Sequence, residues 1–264
     1  MNALITGASS GIGRALAVEF ARSGYGLLLV ARDLPRLQAV ATECRERFGV
    51  EVEIFPQDVG APDSTLRVGH WIRSLRKPIN VLVNNAGFGV HGDFAFTDLD
   101  REIEMVNTHI TAMLGLSKLV LPEMIGRGAG GIINICSLYS FLPAPQQAVY
   151  AATKGFMLSF SEALSDELKW SGLTVTAVCP GTVNTEFRTR MGVYSKKPSG
   201  MSPERVARTA VHAFQAEKSL CIPGFLNQLL ALLAKFLPRS VVPGLVRVAN
   251  RMRRLNAGAK PRQS

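Results

Sequence analysis

Short apolar runs of strand length alternate with longer segments whose apolar positions recur at helical spacing. The runs Ala3–Thr6, Gly26–Ala31, Glu51–Phe55, Val81–Asn84, Gly131–Ser137 and Thr174–Cys179 predict strands, with a short last one near Leu220–Ile222. Helical patterns fall between them, at Ile12–Ser23, Leu34–Phe48, Leu99–Ile125 and Val149–Ser171. This alternation predicts βαβ units and a parallel sheet covered by helices on both faces. Thr97 and Asp100 suit the start of the helix from Leu99, and Gly172 suits a helix stop. Neither a repeat nor a low-complexity stretch interrupts the pattern.

At 264 residues, 47% hydrophobic and 19% charged, the chain is long enough for one globular domain with a large core. The net charge of +10 is uneven: between Phe225 and Ser264 lie eight basic residues and no acidic one, leaving +2 for the rest. This divides the chain into a domain at 1–224 and a basic amphipathic tail at 225–264. The tail's longest apolar run, Leu229 to Ala234, is far short of the ~20 residues that span a bilayer. Two readings of it stay open: a basic amphipathic helix lying on an anionic membrane, or apolar faces covering a pocket or subunit interface with the arginines solvated. Nucleic acid is not expected, because no aromatic residues are interleaved with the charges. The last residues, 256–264, read as disordered. Cys44, Cys136, Cys179 and Cys221 form no CxxC pair, which argues against a zinc site or a disulfide framework, and no metal is expected. The first strand follows Met1 directly, with no signal peptide pattern, so the expected location is cytoplasmic, with peripheral membrane contact as the variant.

The candidate chemistry begins at Thr6-Gly7-Ala8-Ser9-Ser10-Gly11-Ile12-Gly13, between the first strand and the first helix. Glycines there permit a tight turn and close approach of a diphosphate, and the helix N-terminus offers unpaired N–H groups. The sequence TGASSGIG resembles the cofactor motif of the short-chain dehydrogenase/reductase family. Further segments match that family in order: Asn84-Asn85-Ala86-Gly87 after the fourth strand, Ser137 after Asn134-Ile135-Cys136, Tyr150 with Lys154, and Pro180-Gly181-Thr182-Val183-Asn184-Thr185. Taken singly, each has a bland alternative: NNAG can be a plain turn, and YxxxK a packed tyrosine beside a snorkelling lysine. Their joint occurrence over Asn2 to Thr185 carries the resemblance.

The resemblance implies a Rossmann-type doubly wound α/β sheet of about seven strands, ordered 3-2-1-4-5-6-7, and an oxidoreductase that reduces a carbonyl to an alcohol. It implies NADP(H) as cofactor in preference to NAD(H). The second strand ends at Ala31, where the NAD-preferring members carry an acid, and Arg32 follows, suited to a 2′-phosphate with Ser9 nearby. Asp33 reads as the start of the next helix; a strand ending later would make it the NAD acid. Asp58, with Val59, would meet the adenine, although alone it reads as a loop residue capping the next helix. Gly7, Ser10, Gly11, Ile12 and Gly13 would hold the diphosphate, and Asn85, Ala86 and Gly87 would form the cofactor wall. Pro180, Gly181, Val183 and Thr185 would fix the nicotinamide.

The implied catalytic set is Asn107, Ser137, Tyr150 and Lys154. Tyr150 and Lys154 lie one helical turn apart. A nearby ammonium would lower the phenol's pKa of about 10 so that Tyr150 can act as general acid, while Lys154 also holds the ribose. Ser137 would donate to the substrate oxygen. Asn107, with apolar neighbours, would bend its helix and support a proton relay to the lysine. Cys136 reads as packing. Met191, Val193 and Tyr194, with Phe88, His91, Leu138, Tyr139, Phe141 and Leu142 opposite, are candidates to line the substrate side within a loop at 186–200, which points to a hydrophobic ketone, acyl or steroid-like compound. His91 reads as a surface loop residue. The expected partner is this small molecule, with the chain itself a dimer or tetramer. A non-catalytic NADP(H)-binding protein, or a membrane-peripheral scaffold of the same fold, is the alternative.

Overall fold

A computed structural model describes residues 1–191, 200–238 and 240–248. Its elements run β1 (Asn2–Thr6), α1 (Gly11–Arg22), β2 (Gly26–Ala31), α2 (Leu34–Phe48), β3 (Val52–Pro56), α3 (Ser64–Leu75), β4 (Val81–Asn84), α4 (Leu99–Val106), α5 (Ala112–Arg127), β5 (Gly130–Ile135), α6 (Ala148–Glu167), β6 (Leu173–Val178), α7 (Phe187–Arg190), α8 (Pro203–Gln215), β7 (Leu220–Cys221) and α9 (Phe225–Phe236). All seven strands are parallel, in the order β3-β2-β1-β4-β5-β6-β7. This is the doubly wound arrangement expected from the sequence.

Because side chains alternate across a strand, each strand feeds two cores. Ala3, Ile5, Leu27 and Leu29 pack with α1, α2 and α8 on one face. Leu4, Leu28, Val30 and Leu82 pack with α3, α5 and α6 on the other. In register, Leu4 pairs with Leu28 on one side and Leu82 on the other, so the second face is uniformly apolar at the sheet centre. The strand order reverses between β1 and β4. Ligand clefts form beyond the carboxyl ends of strands at such a switch point.

Several boundaries differ from the sequence reading. The predicted helix from Leu99 is not continuous: Asn107–Thr111 forms a wide turn in which the Ala112 N–H reaches the Asn107 carbonyl, five residues back. Its cap is Asp98, which accepts from the Arg101 N–H at 3.0 Å, and not a Thr97–Asp100 pair. Thr97 instead donates to the Phe94 carbonyl, closing the short 3-10 turn Phe94–Phe96. β5 ends at Ile135, so Ser137 lies two residues past the strand. α6 ends at Glu167, and the chain reaches Gly172 (φ +73°) through turns, where a Cβ would come within 2.4 Å of the Gly128 carbonyl oxygen. Asp33 caps α2 as expected, accepting from the Arg36 N–H at 3.1 Å.

Candidate active site

The glycine loop is shaped by contacts that leave no room for side chains. A Cβ on Gly13 would sit 2.2 Å from the Gly7 carbonyl oxygen, and one on Gly7 2.8 Å from Ala86 Cα. Gly7 and Gly11 adopt φ of +64° and +56°, a region where glycine has no steric cost. Ser10 precedes α1 in extended geometry, and its side chain caps nothing. The first N–H groups of α1 therefore have no side-chain cap and face the cleft mouth, as a phosphate seat requires. Asn85 clamps this loop to the end of β4. Its amide donates to the Thr6 carbonyl at 2.8 Å, while the Thr6 hydroxyl accepts from the N–H groups of Asn85 and Ala86, each at 3.0 Å. The sequence reading did not single out Thr6.

Beneath this wall lies a buried amide relay. The Asn84 side chain donates to Asn134 Oδ1 at 2.8 Å, and the Asn134 amide donates to Ser161 at 2.8 Å. This joins β4, β5 and α6 under the catalytic candidates. Asn134 has no exposed surface, so leaving its amide unpaired would be costly.

Tyr150 and Lys154 both face the cleft from α6, and both are buried. Lys154 Nζ donates to the Ile135 carbonyl at 2.8 Å, touches Met157 Sδ at 3.4 Å and lies 5.9 Å from the centroid of the Tyr150 ring. Burial lowers its pKa to about 8. Burial raises the Tyr150 pKa, opposed by a hydrogen bond with the Ser137 side chain. The sequence reading expected the lysine to lower the phenol's pKa; in this pocket desolvation sets the opposite direction, and the opposing contribution comes from Ser137. Ser137 caps the 3-10 turn Leu138–Ser140, its Oγ accepting from the Tyr139 N–H at 3.2 Å. Ser140 in turn donates to the Lys154 carbonyl at 2.8 Å. One short turn thus ties the serine to the helix carrying the tyrosine and lysine.

His109 was missed by sequence reasoning. It is buried in the wide turn, with Nδ1 2.9 Å from the Thr153 hydroxyl and its ring edge-on to Tyr150 at 5.8 Å. Burial, and then the charge of Lys154, holds its pKa well below the ordinary value, so the imidazole is neutral. No local signal marked it, since its neighbours Thr108, Ile110 and Thr111 are of mixed character. Asn107 itself opens the wide turn, its Oδ1 accepting from the Thr111 hydroxyl at 3.3 Å, and it does not line the cleft.

All the other predicted cofactor and catalytic residues line a single cleft of about 1700 Å³: Gly7, Ser9, Ser10, Gly11, Ile12, Gly13, Arg32, Asp58, Val59, Asn85, Ala86, Gly87, Ser137, Tyr150, Lys154, Pro180, Gly181, Val183 and Thr185. Arg32 is half-exposed and contacts Asp58 at 3.2 Å and Glu104 at 3.1 Å. Phe88, His91, Leu138, Tyr139, Leu142 and Met191 also line the cleft, whereas Phe141 packs in the core beside Cys136, which is buried there. Val193 and Tyr194 lie outside the described residues. Phe187 of α7, not anticipated, tilts against Tyr150 at 5.8 Å. α9 closes one side through Leu230, Ala231 and Ala234, with Leu237 just past its end. Val242 and Val246 pack on Ala144 and Ala151. Described residues between Phe225 and Val246 are therefore part of the cleft's wall.

A parallel doubly wound sheet with a glycine loop at its switch point, facing a buried tyrosine and lysine, defines a Rossmann-type oxidoreductase fold. A family model for short chain dehydrogenases matches residues 1–193. A very-long-chain 3-oxoacyl-CoA reductase of Anas platyrhynchos is 33% identical over 256 residues, 94% of this chain and 80% of that protein. A short-chain dehydrogenase from Sphingobium yanoikuyae, solved in complex with NADPH, superposes with a TM-score of 0.79 at 32% identity, covering 100% of this chain and 98% of that one. A bulky-bulky ketone specific alcohol dehydrogenase from Comamonas testosteroni gives a TM-score of 0.75 at 29% identity, covering 100% and 96%. The chain belongs to the short-chain dehydrogenase family, and is an oxidoreductase of that family with a site for a nicotinamide cofactor.

Proposed function

We propose that this chain reduces a hydrophobic carbonyl compound to an alcohol with NADPH. The observation that carries the reading is the grouping of Tyr150, hydrogen-bonded to Ser137, with Lys154 one turn along α6, across one cleft from the glycine loop.

NADP(H) fits the residues present. The glycine cradle admits a diphosphate only because Gly7, Gly11 and Gly13 lack a Cβ. Arg32, directly after β2, supplies a guanidinium for a 2′-phosphate. Asp33 is committed to capping α2, which favours NADP(H) over NAD(H). Asp58 and Val59 would flank the adenine, and Pro180, Gly181, Val183 and Thr185 the nicotinamide. NADP(H), when bound, supplies or accepts the hydride.

The chain's own residues handle the proton and the oxygen. Tyr150, with its phenol protonated at neutral pH, donates from its hydroxyl to the oxygen of the reacting carbonyl. Ser137 Oγ donates to the same oxygen and holds it against the phenol. The Lys154 ammonium favours the tyrosinate left behind, and its pKa of about 8 lets it pass a proton back near neutrality. Asn107 acts through the wide turn it opens, supporting that return path. The side chains of Leu142, Leu230, Leu237 and Val242 make the substrate side apolar. Together with the 3-oxoacyl-CoA reductase and bulky-ketone relatives, this supports an acyl, steroid-like or other bulky carbonyl.

Association into dimers or tetramers through α4, α5 and α6 is part of the proposal, supported by the exposed side chains of Leu99, Ile103 and Phe156.

NADPH oxidation measured against ketones, aldehydes and 3-oxoacyl thioesters tests the reading. Tyr150→Phe should cut kcat by at least about a thousandfold while NADPH still binds, the scale of loss expected for a general acid and its hydrogen bond. Unchanged turnover in that variant would overturn the assignment.

A further inference from the structure

More than half of the large apolar side chains left exposed among the described residues fall between Phe225 and Val248. They are not scattered. On α9, Phe225, Leu229, Leu232 and Phe236 follow i, i+4, i+7, i+11 spacing and form one stripe. They are 77%, 42%, 53% and 78% exposed. Leu230, Ala231 and Ala234 occupy the opposite side and line the cleft. α9 is therefore apolar on both faces; of the outward stripe only Phe225 borders the cleft, at the start of the helix, and Leu229, Leu232 and Phe236 do not line it. Val241 and Val248 extend the outward apolar surface beyond α9, with exposed Arg247 beside them.

Charge identifies the occupant. Residues 225–264 carry eight basic side chains and no acidic one. A second copy seated stripe to stripe would bring two such segments together, and their repulsion would oppose the pairing. An anionic lipid surface offsets that charge and takes up the apolar stripe at once. No helix among the described residues is long and apolar enough to cross a membrane. At 12 residues α9 is about 18 Å long, so it suits a helix lying in the plane of the headgroups.

We propose that the outward face of α9, with residues 241–248, docks this protein on an anionic bilayer, with the apolar side of the cleft opening next to the lipid. This goes beyond the proposed reaction and does not depend on it.

The test is flotation of the full chain with vesicles of phosphatidylcholine alone or mixed with phosphatidylglycerol, together with light scattering of the free protein. The paired variant L232D/F236D removes the C-terminal half of the stripe, which does not line the cleft. A second variant, R251Q/R253Q/R254Q, lowers the charge. The expected result is binding to the mixed vesicles, weak binding to phosphatidylcholine alone, and loss of about tenfold or more in partitioning for each variant and in high salt. Unchanged circular dichroism and melting would show that the variants fold. Three results would overturn the proposal: no binding to mixed vesicles, binding that neither variant weakens, or a stripe-dependent dimer that L232D/F236D splits while vesicle binding persists. None of these readouts requires turnover, so failure here is separable from failure of the proposed reaction.

Discussion

Replacing Lys154 with methionine should stabilise the cofactor-free protein while removing activity. Burial lowers the lysine's pKa from 10.5 to about 8, so holding its charged form in the folded chain costs about 3 kcal/mol at neutral pH. Methionine is close in volume and would sit beside Met157 without a charge. Against this gain, the Ile135 carbonyl loses its donor at 2.8 Å, worth about 1 kcal/mol. The net expectation is stabilisation of about 2 kcal/mol, or a Tm rise of about 4–8 °C for a domain of this size. The pH dependence separates this account from a packing effect. Below pH 8 the lysine is protonated in both states and the folded chain bears the full cost. Between pH 8 and 10.5 the folded state releases its proton first, so the wild type gains stability as pH rises. Above 10.5 the cost is gone. Thermal unfolding of both proteins from pH 7 to pH 11 should show the difference in Tm largest at pH 7 and nearly closed at the top. A lower Tm for K154M at pH 7, or a difference independent of pH, would refute the reasoning.

Asn134→Ala should cost about 2–4 kcal/mol in urea unfolding, because it strips partners from Asn84 and Ser161 in a fully buried position. Gly13→Ala should weaken NADPH binding by about tenfold or more in a fluorescence titration, with circular dichroism unchanged, since its Cβ would collide with the Gly7 carbonyl oxygen at 2.2 Å. Arg32→Gln should raise the KM for NADPH by about 10- to 100-fold and leave that for NADH nearly unchanged. Its ion pairs with Asp58 and Glu104 are half-exposed, so stability should shift by less than about 1 kcal/mol.

The sheet was legible because parallel strands buried on both faces leave unbroken apolar runs such as Leu27–Val30, and because glycine positions at strand ends are dictated by close approach. The candidate site was legible where backbone geometry and side-chain spacing coincide: the glycine loop, Asn85, and the Tyr150–Lys154 turn. What escaped depends on contacts between distant segments. Asn134 and Ser161 are ordinary residues in a strand and a helix until the fold stacks them under Asn84. His109 has no local signature, since only the third dimension places it against Tyr150. The direction of the Tyr150 shift was misjudged because a sequence displays a neighbouring charge but not the depth of a pocket. The wide turn at 107–111 escaped because the segments before and after it each keep the helical period, and the one-residue shift of phase between them falls in the mixed stretch Asn107-Thr108-His109-Ile110-Thr111. The role of α9 as part of the cleft wall was one of two readings left open, because apolar positions alone do not say whether a pocket or a lipid surface covers them.

The wide turn also limits how the chain can be edited. Each residue of a regular helix advances by about 100°. Excising any one position between Asn107 and Thr111 would restore ordinary winding there and rotate everything downstream by that angle. Leu116, Val120 and Met124 would then leave the sheet they cover, and polar neighbours would be driven in. A one-residue deletion in this quarter of the molecule is thus a change of phase, like dropping a tooth from a gear, whereas the same deletion in a surface hairpin would only shorten it.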